Sequence, residues 1–190
     1  MARALHSGLW VGPKRQRGFT LIEMMVVVVI VGILATLAVV GYRKLVQSSH
    51  VTEATNMVQS IRVAQEAYHS ETQQYADISS SLWSWCPSAT PVGNQVTAWG
   101  GSSTCGTTWA ILPLHVDGPV LFGYATKAGS AGAALAALPS DIASRLSLTA
   151  PTTEWYMVTA MCDLDSNGSP YTYVATTSWS NQVFTFNEGQ

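Results

Sequence analysis

An α+β architecture is predicted, in which one long amino-terminal helix packs on a small antiparallel sheet of about four strands. Three observations carry it. Residues Phe19 to Gly41 form an apolar run whose only polar members are Thr20, Glu23 and Thr36. From Tyr42 to Gln74 there is neither Pro nor Gly, and apolar residues recur at Ala54, Met57/Val58, Ile61, Ala64 and Tyr68, the spacing of one helical face. Beyond Tyr75 the texture turns to β-branched and aromatic runs separated by Ser, Thr, Gly, Pro and Asn, which read as strands and turns.

The chain has 190 residues, enough for one ordinary domain and a helical extension but not for two full domains. Only 11% of it is charged, so its surface is dressed in Ser, Thr, Gln and Asn. Four of the nine basic residues (Arg3, Lys14, Arg15, Arg17) precede Phe19, which leaves five against all eleven acidic ones in the remainder. An acidic body with no basic patch repels phosphate, so a nucleic-acid partner is excluded.

As a helix, Phe19–Gly41 is roughly 35 Å long at ~1.5 Å per residue, enough to cross a ~30 Å hydrocarbon core. Val26 to Val31 is a β-branched run that favours a strand in water. Lipid offers unpaired backbone groups no partners and so enforces helix. Lys14, Arg15 and Arg17 before the run outweigh Arg43 and Lys44 after it, which keeps Met1 in the cytoplasm and exports the chain beyond Tyr42. The competing readings are a secretory signal peptide cut near Ala35-Thr36-Leu37-Ala38 and a plain uncleaved anchor. Against the first, the apolar run is too long, a carboxylate sits near its start, and no Pro or polar stretch precedes the candidate cut.

The segment Lys14-Arg15-Gln16-Arg17-Gly18-Phe19-Thr20-Leu21-Ile22-Glu23 resembles the class III signal of type IV prepilins and of the pseudopilins of type II secretion. In that family a dedicated peptidase cuts after the glycine and methylates the new amino terminus. Carried over by position, Gly18 ends the leader, Phe19 is the methylated terminus, and Glu23 is the acidic residue of the span that pairs with a neighbouring subunit's freed amino group. A charge in hydrocarbon costs ~2.5–3.5 kcal/mol on insertion scales, so Glu23 calls for a partner. The resemblance covers Lys14 to about Tyr75 well and the remainder in outline. Many family members have a proline where this chain has Val40; Gly32 and Gly41 supply weaker slack.

The resulting division is a leader at 1–18, a transmembrane and assembly helix at 19–42, an amphipathic continuation at 43–75, and a β-rich head at 76–190. Within the head, Ser79 to Thr107 reads as a long crosslinked loop, with Trp83, Trp85 and Trp99 as its anchors. Strands are predicted at Trp109–Leu112, Val120–Thr126, Glu154–Met161, Tyr171–Thr177 and Gln182–Phe186, and a helical turn or two in Ala131–Leu146, interrupted at Pro139.

Cys86, Cys105 and Cys162 all fall in the exported part, where disulfides persist. Cys86 with Cys105 is the expected pair, because both lie in the irregular loop and closing about 20 residues contributes ~3 kcal/mol in the chain-entropy model. Cys162 is then a buried thiol, its pairing with either of the others being the alternative. No ligand spacing suits zinc.

Asp163-Leu164-Asp165-Ser166-Asn167-Gly168 matches the opening of a calcium loop, with Asp163, Asp165 and Asn167 as the candidate ligands, but Val174 stands where the bidentate Glu belongs. Asn167-Gly168 between strands is also a hairpin-turn signal, and a plain turn is the expectation, although some pseudopilins hold calcium near their carboxyl end. His50, His69 and His115 sit in no catalytic motif, so no enzyme is indicated.

The resemblance implies a structural subunit of a type IV pilus-like filament. It is a single-pass inner-membrane protein before assembly and part of an extracellular pilus, or a periplasmic pseudopilus, after it. Its partners would be other pilin subunits, the prepilin peptidase and methyltransferase, and an inner-membrane assembly platform. A type II secretion pseudopilin is the alternative; a filament-tip adhesin and a membrane-tethered enzyme stand behind it.

Overall fold

The computed structural model describes residues 18–93, 95–100, 103–138, 140–143, 148–149, 151–168, 171–180 and 182–188, so that the leader before Gly18, and Pro139, lie outside the described residues. Two compact units divide the chain between Tyr42 and Arg43. One helix, α1 (Leu21–Thr72), runs through both.

In the first unit every described residue from Gly18 to Tyr42 is exposed, and nothing lies within 4 Å of a Cβ built on Gly32 or Gly41. Over these residues the helix buries no face. In the second unit Val51, Ala54, Val58, Ile61 and Ala64 are buried at the predicted helical spacing, with Met57 and Tyr68 partly buried beside them. Burying a Val or Ile side chain contributes about 1.5–3 kcal/mol, so this stripe holds the helix to the head. The helix ends where Gln73 turns left-handed at φ 60° while its N–H still bonds the His69 carbonyl at 2.8 Å.

The stripe packs on an antiparallel meander of four strands in the order β1-β2-β3-β4: β1 (Gly123–Gly129), β2 (Trp155–Cys162), β3 (Thr172–Thr177) and β4 (Val183–Phe186). Tyr124, Val158, Ala160 and Val174 share one core with α1. Ala125, Met161, Tyr173 and Ala175 alternate with them and pack with Trp85 and Ile142 in a second core. Both faces of the sheet are therefore covered, which is why all eight residues of β2 are buried. The Trp155 indole packs against the backbone of β1 at Gly129, where any Cβ would collide with it.

The 79–107 segment is less irregular than its composition suggests. Ser79 and Cys86 bond the free edge of β1 at Thr126 and Tyr124, and Thr97 bonds Val120. Loop backbone thus covers an edge that would otherwise expose unpaired groups. A short helix, α2 (Ser103–Trp109), carries Cys105. The strand predicted at Trp109–Leu112 is not formed: Trp109 closes α2, and a turn with Leu112 N–H on the Trp109 carbonyl comes next. Trp109 and Leu112 join the α1 core from this turn instead, while Ala110 and Ile111 are exposed, since burial and not strand pairing was the cause of the pattern. The strand expected at Val120–Thr126 lies three residues later, and the helical turn after residue 131 is α3 (Ser140–Ala143).

Candidate functional site

The amino-terminal residues form a locally closed arrangement. Thr20 stands just before the first turn of α1, and its Oγ1 accepts from the Glu23 N–H at 3.3 Å. Glu23 Oε2 in return accepts from the Thr20 N–H and from the Thr20 hydroxyl, both at 2.9 Å. This is a capping box, T-x-x-E, which satisfies backbone donors that a helix start leaves open. The pattern was legible in Thr20-Leu21-Ile22-Glu23, but the membrane reading of Glu23 overshadowed it. Gly18 and Phe19 precede the helix and are exposed, so the bond between them is accessible. Phe19, Ile22, Met24, Val26 and Val27 lie around Glu23 as exposed apolar side chains. A carboxylate satisfied by its own helix start, on an exposed apolar stretch, can be carried into lipid and remain available to a cation.

The head residues singled out from sequence lie elsewhere. Cys86 and Cys105 are joined, with Cα atoms 5.8 Å apart, and tie the β1 edge to α2. Trp99 packs edge-on against Trp109 at 5.1 Å and near Tyr124 at 5.8 Å, while Trp83 remains largely exposed. Cys162, free and fully buried, ends β2. Burial, with Asp163 and Glu53 adding to it, pushes its thiol up to about 12, so it stays protonated and unreactive at neutral pH.

Asp163 is buried and comes directly after β2. One of its oxygens accepts from the Asn167 N–H at 3.2 Å and the other from the Gly168 N–H at 2.9 Å. Asp165 accepts from the same Asn167 N–H at 3.2 Å and from the Asn167 side-chain amide. Both Asp163 oxygens thus serve the loop backbone. The connection from Cys162 to Thr172 is longer than a two-residue turn, so Asn167-Gly168 lies within a broad loop, with Gly168 at φ 88°. Among the described residues no group of three His, Cys, Asp or Glu side chains is placed to hold a metal ion.

Sequence reasoning missed a polar cluster that binds α1 to the sheet. Gln65 is fully buried; its Nε2 donates to the Ala76 carbonyl at 2.8 Å and to Thr126 Oγ1 at 3.0 Å, and its Oε1 accepts from the Ala76 N–H at 2.9 Å. Close by, Glu66 accepts from the Tyr156 hydroxyl at 3.0 Å, and burial followed by Glu66 raises that phenol's pKa. A glutamine on the buried face between Ala64 and Tyr68 was the available signal.

The family model described as the prokaryotic N-terminal methylation motif matches residues 13–39. Over 68 residues the chain is 40% identical to the type IV major pilin protein PilA of Myxococcus xanthus, covering 36% of this chain and 31% of that protein. It is 44% identical over 54 residues to a fimbrial protein of Pseudomonas aeruginosa (28% of this chain, 35% of that one). It is also 43% identical over 56 residues to the fimbrial protein EcpC of Eikenella corrodens (30% and 37%). The matches therefore span about a third of the length of these curated relatives. No solved structure matches the chain. The methylation motif thus heads a long helix whose second half packs on a four-stranded antiparallel sheet, and it is over this amino-terminal segment that the chain is similar to type IV pilins and fimbrial proteins.

Proposed function

We propose that this chain is the structural subunit of a type IV pilus-like filament, cut between Gly18 and Phe19, methylated at Phe19, and assembled through the first half of α1. The observation that carries the reading is the Gly18-to-Glu23 motif at the head of a helix whose residues up to Tyr42 are all exposed. Exposed apolar surface on this scale, long enough to span a bilayer, needs lipid first and protein neighbours afterwards. The role is structural and not catalytic, and the pilins and fimbrial proteins among its relatives support a pilus over a secretion pseudopilus. Processing implies a prepilin peptidase and methyltransferase as partner, and polymerisation implies other pilin subunits and an inner-membrane platform. Intact-mass and peptide mass spectrometry of filament material should find N-methylated Phe19 at the amino terminus. A subunit beginning at Met1, or near Val39, would overturn the reading.

The Asp163–Gly168 loop is proposed to hold its shape without calcium, since the Asp163 carboxylate is already met by two backbone N–H groups. Calcium titration of the purified chain in detergent should leave its Tm within about 1 °C of the metal-free value. A ligand present at a hundred times its Kd adds about 2.7 kcal/mol. For a chain of this size that is a rise of roughly 5–10 °C. Such a rise at micromolar calcium, lost in Asp163→Ala, would establish the metal site instead.

A further inference from the structure

The two joined cysteines, Cys86 and Cys105, both line a cavity of about 290 Å³, together with Ser80, Ser84 and Thr108. Those three hydroxyl-bearing residues are exposed and both cysteines are half-buried, so the cavity opens to water. None of the described residues that line it carries a charge. Cys162 is placed in the opposite way, with none of its surface exposed. The two ends of the disulfide are also held without it. Cys86 exchanges two backbone hydrogen bonds with Tyr124, at 2.9 and 2.7 Å. Its neighbour Trp85 is buried in the second core, and Trp109, which closes α2 after Cys105, is buried in the core shared with α1. Opening the S–S bond therefore leaves each cysteine on an anchored segment.

We propose that the Cys86–Cys105 disulfide is a thiol-exchange site of the folded chain, which a small dithiol entering this cavity opens while the fold stays closed. The proposal does not depend on the filament-subunit reading. One thiolate of the dithiol attacks a cysteine sulfur, forms a mixed disulfide with it, and expels the other cysteine as a thiolate that takes a proton from water. The reagent's second thiolate then attacks its own sulfur in the mixed disulfide, closes the reagent's ring and expels the second cysteine, which is protonated likewise. The protein gains two electrons and two protons, and the dithiol loses them. The attacking group is an anion that needs access, and an uncharged, open wall supplies access without repulsion. An enclosed disulfide would instead wait for the fold to open. Once both thiols form, α2 is no longer tied covalently to the β1 edge, and the backbone bonds between Cys86 and Tyr124 keep the loop in place for reclosure.

The test uses the full chain in detergent, with dithiothreitol as the dithiol, N-ethylmaleimide to trap thiols at intervals, and peptide mass spectrometry to locate them. Cys86 and Cys105 should be labelled together while Cys162 stays unlabelled, with a half-time that 1 M urea changes by less than about twofold. If reduction waited for unfolding, the same urea would speed it at least about fivefold, and Cys162 would be labelled with the others. Either of those results, or a disulfide that resists dithiothreitol until the chain is denatured, would overturn the proposal. Two variants at the exposed Ser84 test the route. At low salt Ser84→Asp should slow exchange about threefold and Ser84→Lys should speed it by a similar factor, with the Tm of each unchanged. Equal rates in the wild type and both variants would show that the thiolate does not enter by this cavity.

Discussion

Replacing Glu23 by glutamine is expected to leave leader removal and membrane content normal and to lower filament incorporation by a factor of at least roughly 100, the scale on which breaking a buried charge pair acts. The capping box makes this substitution informative. Glutamine retains a side-chain oxygen that accepts from the Thr20 N–H, so the helix start survives and only the charge is lost. The carboxylate rests on its own helix start, and under the proposed function it stays near the cytoplasmic interface before assembly, so that insertion of the apolar run is expected not to depend on it. Assembly is proposed to bury it among neighbouring helices, where the amino group freed at Phe19 of another subunit is its available counter-charge. The first basic side chains beyond the span, Arg43 and Lys44, lie about 30 Å further along the helix at ~1.5 Å per residue. Without Glu23 that amino group is buried unpaired. Glu23→Ala removes both the cap and the charge. Equal loss in both variants is the expected pattern, measured as processed fraction, membrane pool and sheared-filament abundance. Normal incorporation of Glu23→Gln with failure of Glu23→Ala would show that Glu23 acts as a helix cap alone, and loss of membrane content in either would place its role before assembly.

The second large effect is expected at Gln65. Gln65→Leu keeps volume and apolar fit but removes the partners of the Ala76 N–H and carbonyl together, inside a site closed to water. Leaving a buried backbone group unsatisfied costs about 1–3 kcal/mol, and two such groups sharing one lost partner imply about 2–4 kcal/mol. For a chain of this size that is a Tm lower by roughly 5–15 °C. Thr126 keeps its bond to the Met157 carbonyl, which limits the damage on the sheet side. Asn56→Leu, an exposed position on the same helix, serves as the control and should stay within about 0.5 kcal/mol of wild type. Thermal unfolding of the full chain in detergent reads both. An unchanged Tm in Gln65→Leu would mean that water or a local shift satisfies Ala76 and that the cluster is not what anchors the turn after α1.

Much of the helix was legible because its signals are local. The apolar run needs only length, and the stripe Ala54, Val58, Ile61 and Ala64 needs only a period of 3.6 residues. Strands β2, β3 and β4 were located to within a residue or two from β-branched and aromatic runs bounded by turn residues. Alternation gave no help at Trp155–Cys162, where both faces are covered and the run is apolar or Thr throughout. The error at Trp109–Leu112 has the same origin. A short apolar run records burial without recording which backbone conformation achieves it.

What the chain's order of residues determined by itself was the amino-terminal helix and the methylation motif that carries its carboxylate, because a motif and a hydrophobic length act through neighbours in sequence or through lipid. Tertiary structure alone decided that Gln65 is a buried bond-maker and that the 79–107 segment covers the β1 edge. Each of these depends on segments brought together from 11 to 61 residues apart, as Gln65 is from Ala76 and Thr126. The free energy of such contacts comes from excluding water between surfaces that no single stretch of sequence describes, so their partners become visible only once the chain has closed on itself.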